Sequence, residues 1–316
     1  MKLLFILDPL DHLKTEKDTS LAMMREAEKR GHTLFVAMQH AVFLRGATVK
    51  IRAQIFNFAA QGFDGGEYQE YFPKDFSAIL MRKDPPFDNE YLYSTYLLEM
   101  AQNQGATVLN NPAAIRNWNE KLSVTRFPQF APPFLVTANN DLIREFLAEQ
   151  QDIVVKPLDG MGGSSIFRLK IDDPNISVIL ETITKFGTQT VMAQQYLPQI
   201  LQGDKRILVV NGTPLPYALA RIPKAGETRG NLAAGGTGVA QKLSTRDLKI
   251  ATTVGETLKA EGLFLVGLDV IGDHLTEINV TSPTGMVEIA KQTKKSAEPC
   301  DPAQGVLDAL ENLIRQ

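Results

Sequence analysis

The sequence has only one cysteine, Cys300, among its 316 residues. An internal disulfide bond is therefore excluded, and a protein of the reducing cytoplasm is expected. No stretch reaches the roughly 20 consecutive apolar residues that a membrane-spanning helix needs. The first residues, MKLLFILDPLDH, are apolar only briefly and then acidic. We therefore expect a buried first strand there rather than a secretion signal.

An excess of charge of one sign is also missing. The 33 Lys and Arg residues nearly balance the 36 Asp and Glu residues, and the net charge is −3. Without a basic run, this balance argues against binding to nucleic acid or to an acidic membrane surface. With 44% apolar and 22% charged residues, the chain is expected to be globular, and its length suggests two or three domains.

The first third of the chain alternates strand-like with helix-like segments. Buried strands are predicted for KLLFILD, HTLFVAM, FSAILMRKD and ATVLN. Helices that end at a glycine are predicted for TSLAMMREAEKRG and DNEYLYSTYLLEMAQNQG. This order predicts an α/β fold with an open, mostly parallel sheet, and we assign it to a domain of residues 1–120.

After a helix that begins at Pro112, hairpins replace this alternation. They are predicted for VVKPLDGMGGSSIFRLK, for RILVVNGTPLPYALARI with its turn at Asn211-Gly212, and for LFLVGLDVIGDHLTEINV. The stretch PKAGETRGNLAAGGTG has many glycines and few large apolar residues, which is typical of a mobile loop. Helices are predicted for NISVILETITKFG, TRDLKIATTVGETLKAEG and DPAQGVLDALENLIR. The rest of the chain is therefore expected to be α+β.

A glycine-rich loop follows a lysine in VVKPLDGMGGSSIF. The loop is not a Walker motif, because Lys156 precedes the glycines, and it is not the dinucleotide fingerprint, because Ser165 replaces the last glycine and a strand is predicted next. Glycines still allow backbone N–H groups to converge on an anion, and the lysine adds charge. The alternative is a tight hairpin turn beside a solvated lysine. The glycines concerned are Gly160, Gly162 and Gly163.

The last hairpin carries three oxygen-bearing side chains, Asp269, Glu277 and Asn279. A turn at Gly272–Asp273 would place Asp269 and Glu277 close to opposite each other, and Asn279 would share the face of Glu277. Such a set suits a hard cation such as Mg²⁺. The alternative is a polar stripe facing solvent, but the apolar neighbours indicate an inner strand, where an unpaired carboxylate is costly.

Arginines form a third signal, because Arg206, Arg221 and Arg229 lie at strand ends or in the glycine-rich loop. Each alone could be solvated, but together they suggest a clamp on phosphate or carboxylate. No Ser-His-Asp or Cys-His set is apparent, and the four histidines lie outside these motifs.

Together these motifs resemble bacterial glutathione synthetase, a carboxylate–amine ligase of the ATP-grasp group. The matching segments include NEKL, VKPLDGMGGSSIFRL, MAQQYLP, GDKRILVVNG and LTEINVTSPTG, while MRKDPPFD and ETRGNLAAGG are specific to this family. The resemblance covers nearly the whole chain and weakens at about residues 40–75 and after about 286. It implies an N-terminal substrate domain and an ATP-grasp domain of residues 121–316, with a lid lobe at about 121–195 and a second lobe at about 196–316.

The resemblance implies ATP-dependent joining of γ-glutamylcysteine to glycine through an acyl phosphate, with release of ADP and phosphate. Phosphoryl transfer mainly requires positioning and charge neutralisation, which these residues suit. ATP phosphates would be held by Lys121, Lys156 and the Gly160, Gly162 and Gly163 loop. Adenine would meet Gln194, Gln195, Tyr196 and Leu197. Two Mg²⁺, for which Mn²⁺ could substitute, would be held by Asp269, Glu277 and Asn279.

Arg206 and Arg221 would stabilise the transferring phosphoryl group and the acyl phosphate. Arg229 and its loop would cover the substrates and exclude water. The dipeptide site would include Arg82, Asp18 and Ser20, although Arg82 could instead brace Asp84 in a turn. The family also implies a homo-oligomer.

Two alternatives stay open from the sequence. Another ATP-grasp ligase, for peptides or for glutamate addition, would share the lysine pair and the metal hairpin, but would not be expected to carry MRKDPPFD or ETRGNLAAGG. A nucleotide-binding regulator without catalysis is the second, and the presence of Lys156, Glu277 and Asn279 argues against it.

Overall fold

A computed structural model describes residues 1–59, 62–227, 229–230, 232 and 235–315. In chain order its strands are β1 (Lys2–Leu7), β2 (Thr33–Met38), β3 (Val42–Arg45), β4 (Thr48–Phe58), β5 (Phe63–Gly65), β6 (Gln69–Tyr71), β7 (Ala78–Met81), β8 (Val108–Leu109), β9 (Phe134–Thr137), β10 (Asp152–Pro157), β11 (Phe167–Lys170), β12 (Val191–Gln195), β13 (Asp204–Val210), β14 (Thr213–Ile222), β15 (Thr237–Lys242), β16 (Leu265–Ile271) and β17 (His274–Asn279).

The α-helices are α1 (Thr19–Lys29), α2 (Asn89–Asn103), α3 (Pro112–Asn117), α4 (Asn140–Gln150), α5 (Ile176–Ile183), α6 (Thr245–Ala260), α7 (Met286–Thr293) and α8 (Pro302–Arg315). Within the described ranges, no helix combines the length and the apolar character needed to cross a membrane.

The first sheet has the order β3-β4-β2-β1-β7-β8. Its parallel part, β2-β1-β7-β8, is the one predicted from the alternation of strands and helices. The long strand β4 extends it with antiparallel pairs to β2, β3, β5 and β6, which the sequence did not predict. Central strand β1 is a continuous apolar run because helices cover both faces of a parallel sheet. The carboxyl ends of β1 and β7 form the edge from which a ligand would be reached.

Two antiparallel sheets follow. The first has the order β11-β10-β12-β9, and the second has the order β15-β14-β13-β16-β17. The predicted hairpins β10–β11, β13–β14 and β16–β17 are confirmed. Asn211 and Gly212 form the two-residue turn between β13 and β14, both with positive φ, as such a turn requires.

The helix predicted at Pro112 is confirmed and begins there, but it ends before the NEKL segment. It ends at Asn117, and Lys121 lies in an irregular segment before a short 3₁₀ helix, Leu122–Arg126. This break lets the NEKL segment run beside the end of β17, where the Ile278 N–H donates to the Glu120 carbonyl over 2.8 Å.

The two halves of the chain share continuous hydrophobic cores. Leu3, Phe5 and Leu7 of β1 belong to the same buried cluster as Leu208 of β13 and Leu307 of α8. The C-terminal helix α8 therefore packs on the N-terminal region, although it is far from it in sequence. The predicted domain boundary at residue 120 remains a prediction.

Candidate active site

A cavity of about 360 Å³ is lined by residues of both antiparallel sheets, of the loop after β7 and of the segments around Lys121 and after β17. Every residue predicted to bind ATP or metal, and each predicted arginine of the clamp, lies in its wall. These are Lys121, Lys156, Gly160, Gly162, Gly163, Gln194, Gln195, Tyr196, Leu197, Arg206, Arg221, Arg229, Asp269, Glu277 and Asn279. Motifs spread over about half of the chain thus converge on one space.

Lys156 lies near the end of β10, the strand that pairs with both β11 and β12. Its side chain is buried, and Nζ lies 3.3 Å from the Thr276 carbonyl and 3.5 Å from Glu277 Oε1. Burial lowers the pKa of Lys156, and the charge of Glu277 only partly opposes this effect. A buried ammonium of this kind gains most from an anionic ligand. The alternative of a solvated lysine is excluded.

Lys121 approaches the same carboxylate from the other side. Its Nζ is 3.9 Å from Glu277 Oε1 and donates to the Gly160 carbonyl over 2.6 Å. The side-chain oxygen of Asn119 accepts from the N–H groups of Lys121 and Leu122, which fixes the backbone of the segment. Burial alone would raise the pKa of Glu277, but Lys121 and Lys156 together lower it below its ordinary value.

The glycine loop is more open than a two-residue turn. Gly162, Gly163 and Ser165 have φ values of 63°, 81° and 57°. Strand β11 follows the loop, as predicted, so the dinucleotide motif is excluded. Arg229 Nη1 lies 3.5 Å from the Gly163 carbonyl, and this contact ties the second glycine-rich loop to the first. Glu227 pairs with Arg229 Nη2 at 2.7 Å and orients its guanidinium.

The β16–β17 hairpin turns at Gly272–Asp273, as predicted, and a register shift between Asp269 and Val270 then places Asp269 opposite Glu277 and Asn279 opposite Gly267. Asp269 is only 3% exposed, which excludes a polar stripe facing solvent at that position. The Asn279 amide donates to the Gly267 carbonyl over 3.2 Å, so its own oxygen points away from that bond. The three side chains, from two adjacent strands, all line the cavity.

Arg206 and Arg221 both bind Asp269. Arg206 contacts it with two nitrogens, at 2.5 and 3.1 Å, and Arg221 Nη2 lies 2.8 Å from Asp269 Oδ2. Burial would raise the pKa of Asp269, but the two guanidinium groups lower it well below its usual range. All three side chains are buried, so the pairing holds without solvent screening.

Asp204 is a member of this network that the sequence analysis missed. It pairs with Arg221, which is opposite it across the β13–β14 ladder. Burial raises its pKa to about 7, a direction that the Arg221 pair opposes and the nearby Asp269 charge reinforces. Its Oδ1 is buried without a hydrogen-bond partner. The sequence could have indicated Asp204, because Asp204 and Arg206 are two residues apart on one strand and therefore share a face.

The three residues predicted for the dipeptide are near one another. Arg82 Nε donates to Ser20 Oγ over 3.1 Å, and Nη2 donates to the Pro283 carbonyl over 2.9 Å, while Nη1 is buried without a partner. Asp18 is the N-cap of α1, accepting from the Leu21 N–H over 2.8 Å. None of these three residues is among the described residues that line the cavity. Pro283, which Arg82 contacts, lies between two lining residues, Ser282 and Thr284.

The predicted metal ligands fit a hard cation in chemistry, because all three donors are oxygens. No group of three or more His, Cys, Asp or Glu side chains is arranged for a metal among the described residues. A bound cation would therefore need the Asn279 amide oxygen and oxygens of a ligand in addition to the two carboxylates.

Comparison with known proteins decides the family. The profile of the prokaryotic glutathione synthetase N-terminal domain matches residues 1–116, and that of the prokaryotic glutathione synthetase ATP-grasp domain matches residues 120–294. The chain belongs to the prokaryotic glutathione synthetase family. Its predicted activity is thereby confirmed: it is an ATP-dependent ligase that forms glutathione.

Individual relatives agree with this assignment. The glutathione synthetase of Nitrosomonas europaea is 56% identical, with 99% of this chain and 98% of that protein covered. The glutathione synthetase of Pseudomonas aeruginosa is 53% identical over 92% of both chains.

Solved structures show the fold alone. A D-cycloserine synthetase has a TM-score of 0.68 at 14% identity and covers 99% of both chains. The D-alanyl-alanine synthetase A of Vibrio cholerae has a TM-score of 0.61 at 13% identity and covers 100% of this chain and 98% of its own. The ligase predicted from the motifs therefore has the expected ATP-grasp fold.

Proposed function

We propose that the enzyme joins the carboxylate of the cysteine residue of γ-glutamylcysteine to the amine of glycine within this cavity. The observation that carries the proposal is the convergence of four buried cations, Lys121, Lys156, Arg206 and Arg221, on two carboxylates of one hairpin. The γ-phosphoryl group of ATP passes to the dipeptide carboxylate, and the glycine amine attacks the resulting acyl phosphate. Inorganic phosphate then leaves.

The lysines and the first glycine loop are assigned to the phosphates of ATP. Phosphate oxygens would replace Glu277 and the Gly160 carbonyl as partners of Lys156 and Lys121, which supports positioning by charge. The segment Gln194–Leu197 is assigned to adenine through its backbone groups. The buried, unpartnered amide nitrogen of Gln194 extends that assignment to one side chain.

Asp269, Glu277 and Asn279 would hold Mg²⁺, or Mn²⁺ in its place, with two ions expected. A bound metal would supply neutralisation of the negative charge of the phosphates. Lys121 and Lys156 then no longer need to neutralise Glu277 and are available to the nucleotide.

Arg206 and Arg221 are assigned to the transferring phosphoryl group and the acyl phosphate. Their pairing with Asp269 fixes both guanidinium groups before substrate arrives, which is the preorganisation that electrostatic catalysis needs. Arg229 and its loop would cover the intermediate and exclude water, as its contact with Gly163 suggests.

Arg82, Ser20 and Asp18 are assigned to the dipeptide. The unpartnered Nη1 of the buried Arg82 supports this role, because a carboxylate of the substrate would complete its hydrogen bonds. The guanidinium of Arg82 donates its hydrogen bonds to Ser20 and Pro283. This pattern argues against the alternative in which Arg82 only braces Asp84.

We further propose that the enzyme works in the cytoplasm as a homo-oligomer of two domains that meet near residue 120. Three large side chains one turn apart on α2, Tyr93, Tyr96 and Met100, are exposed and support association through this face. Light scattering of the purified protein measures the oligomeric state, and a monomer at working concentrations would refute it.

An assay of ADP release with each substrate omitted tests the reaction. Release should require γ-glutamylcysteine and should form glutathione only with glycine. Equal release with D-alanine or free glutamate in place of these substrates would contradict the proposed specificity. Nucleotide binding without substrate-dependent turnover would support a regulator instead.

A further inference from the structure

Glu120, beside Lys121, is a wall residue of the cavity to which neither the motifs nor the proposed mechanism assigns a role. One oxygen of its carboxylate, Oε1, is firmly held. It accepts from the Thr281 hydroxyl at 2.8 Å, the Val280 N–H at 3.1 Å and the Thr281 N–H at 3.3 Å. These three donors follow β17 directly, so the orientation of the carboxylate is fixed relative to the metal hairpin.

The other oxygen, Oε2, has no hydrogen-bond partner among the described residues, and no cation of those residues lies within 4.0 Å of the carboxylate. The other half-buried or buried acids of the cavity differ in this respect. Asp204 pairs with Arg221, Asp269 with two arginines, and Glu277 with both lysines. Lys121 is adjacent in sequence but is directed to Glu277 and Gly160.

An unpaired carboxylate that is half-buried in the wall of a cavity is unfavourable, and burial raises the pKa of Glu120, which the bonds from Thr281 and the charge of Lys121 only partly oppose. A bound cation would remove this cost. Besides the metal, which the hairpin accounts for, the reaction offers two cations, the ammonium groups of the dipeptide and of glycine. Both are primary ammonium groups of α-amino acids.

The surroundings of Glu120 complement an amino acid rather than a metal. The hydroxyl of Tyr91 is buried without a partner, as is Nη1 of Arg82. Glu120 and Arg82 are held by the same segment after β17, because Glu120 accepts from Thr281 and Arg82 Nη2 donates to the Pro283 carbonyl. An unfilled donor and an unfilled acceptor held by one short segment match a carboxylate and an ammonium group on one molecule.

We propose that Oε2 of Glu120 binds the primary ammonium group of an amino-acid substrate and thereby contributes to selection of that substrate. The inference rests on the proposed function and adds a specificity-determining residue to it. The competing explanation is that Glu120 only braces the end of β17 through Oε1.

Glu120→Gln separates the two explanations, because the amide oxygen can keep the three bonds of Oε1 while the charge is lost. Glu145→Gln, on the exposed face of α4, is the matched control for loss of one negative charge. Affinities for glycine and for γ-glutamylcysteine are measured by calorimetry with a non-hydrolysable ATP analogue and Mg²⁺, and KM values are measured in turnover. We expect a tenfold to roughly hundredfold loss for one of the two substrates, the range for a hydrogen bond to a charged group.

The substrate that loses affinity identifies the source of the ammonium group. Glutarylcysteine lacks the α-amino group of γ-glutamylcysteine. Comparing the binding of these two compounds to the wild-type enzyme is an independent test that needs no variant. If the dipeptide ammonium is bound, wild type should bind this analogue at least tenfold more weakly, and Glu120→Gln should bind both dipeptides alike. If glycine is the source, wild type should not discriminate between the dipeptides, and only glycine binding should weaken in Glu120→Gln.

Unchanged affinity for both amino-acid substrates in Glu120→Gln would overturn the inference. Glu120 would then only brace the end of β17. A change confined to ATP or to the Mg²⁺ requirement would overturn it as well. Should Glu120→Gln fail to fold, a wild-type enzyme that does not discriminate between the dipeptides, and that binds glycolate, the analogue of glycine without an ammonium group, as tightly as glycine, would refute it. Calorimetry reads binding directly, so a failure of ligation in wild type, which would refute the proposed function, is a separate result.

Discussion

Lys156 shows at the scale of single residues how burial creates a need for a ligand. Its ammonium is surrounded by protein and compensated by one carboxylate at 3.5 Å, which it shares with Lys121. Triphosphate oxygens would supply stronger partners. Loss of this side chain should therefore weaken nucleotide binding far more than it weakens the fold.

Lys156→Ala should lower kcat/KM for ATP by roughly a hundredfold or more, as expected when a buried charge to phosphate is removed. Steady-state kinetics with varied ATP give the effect, and thermal unfolding checks the fold. Lys170→Ala, an exposed lysine at the end of β11, is the control and should leave the kinetics unchanged. Unaltered activity of Lys156→Ala would remove this lysine from the site.

Glu277→Gln tests the metal assignment. The amide is a poorer ligand than a carboxylate, so the Mg²⁺ concentration for half-maximal activity should rise by about tenfold or more. Asp273→Asn, in the exposed turn of the same hairpin, should not change it. A Mg²⁺ titration of the three proteins gives the comparison, and identical curves would rule out Glu277 as a ligand.

Residue-level prediction succeeded where neighbours on one strand or across one hairpin made the site. Glu277 and Asn279 share a face through strand alternation, as expected, whereas Asp269 lies opposite Glu277 only because the ladder shifts register between Asp269 and Val270. Glu120 was missed because its partner, Thr281, is 161 positions away and no local pattern links them. Contacts of that kind follow from the tertiary fold.

Secondary-structure elements show the same division. The parallel strands and the three hairpins followed from periodicity and turn residues, whereas α4, α7, β15 and the β3–β6 extension were not predicted. Strand β4 has an irregular burial pattern, and β5 and β6 have only three residues each. None of these three strands therefore shows a clear alternation of apolar and polar residues. Tertiary pairing with β4 stabilises these short strands.

The β13–β14 turn packs on α6 so closely that a glycine is required on both sides. A Cβ at Gly255 would lie 2.3 Å from the Gly212 carbonyl oxygen. Gly255→Ala should therefore destabilise the protein by about 1–3 kcal/mol, although alanine favours helices by about 1 kcal/mol. In α8, Gly305 faces only the end of Leu215, and Gly305→Ala should be neutral or stabilising. Denaturant unfolding measures both, and a stabilised Gly255→Ala would contradict the packing.

Arg229 joins the two glycine-rich loops through its contact with the Gly163 carbonyl, and we propose that the loops cover the acyl phosphate. In Arg229→Ala the loops should separate and admit water to the acyl phosphate. We expect more than one phosphate released per glutathione formed. Lys224→Ala, exposed on the same loop, should keep the ratio at one. Parallel measurement of phosphate and glutathione gives the ratio, and tight coupling in Arg229→Ala would argue against shielding.

At the scale of the whole molecule, the site exists only because separate regions are packed together. Its wall combines Asp84 of the loop after β7, Lys121 of the connecting segment, and strands from both antiparallel sheets. The shared cores of β1, β13 and α8 fix this arrangement. The sequence predicted which motifs would meet, but the packing of α8 on the N-terminal region had no signal in it.

The central claim is that a triphosphate is bound between the Lys156 loop and the β16–β17 hairpin. A crystal structure with a non-hydrolysable ATP analogue and Mg²⁺ tests it most directly. The account predicts phosphate oxygens within about 3.5 Å of Lys121 and Lys156 and metal bound by Asp269, Glu277 and Asn279. Nucleotide bound elsewhere, with both lysines still on Glu277, would contradict it.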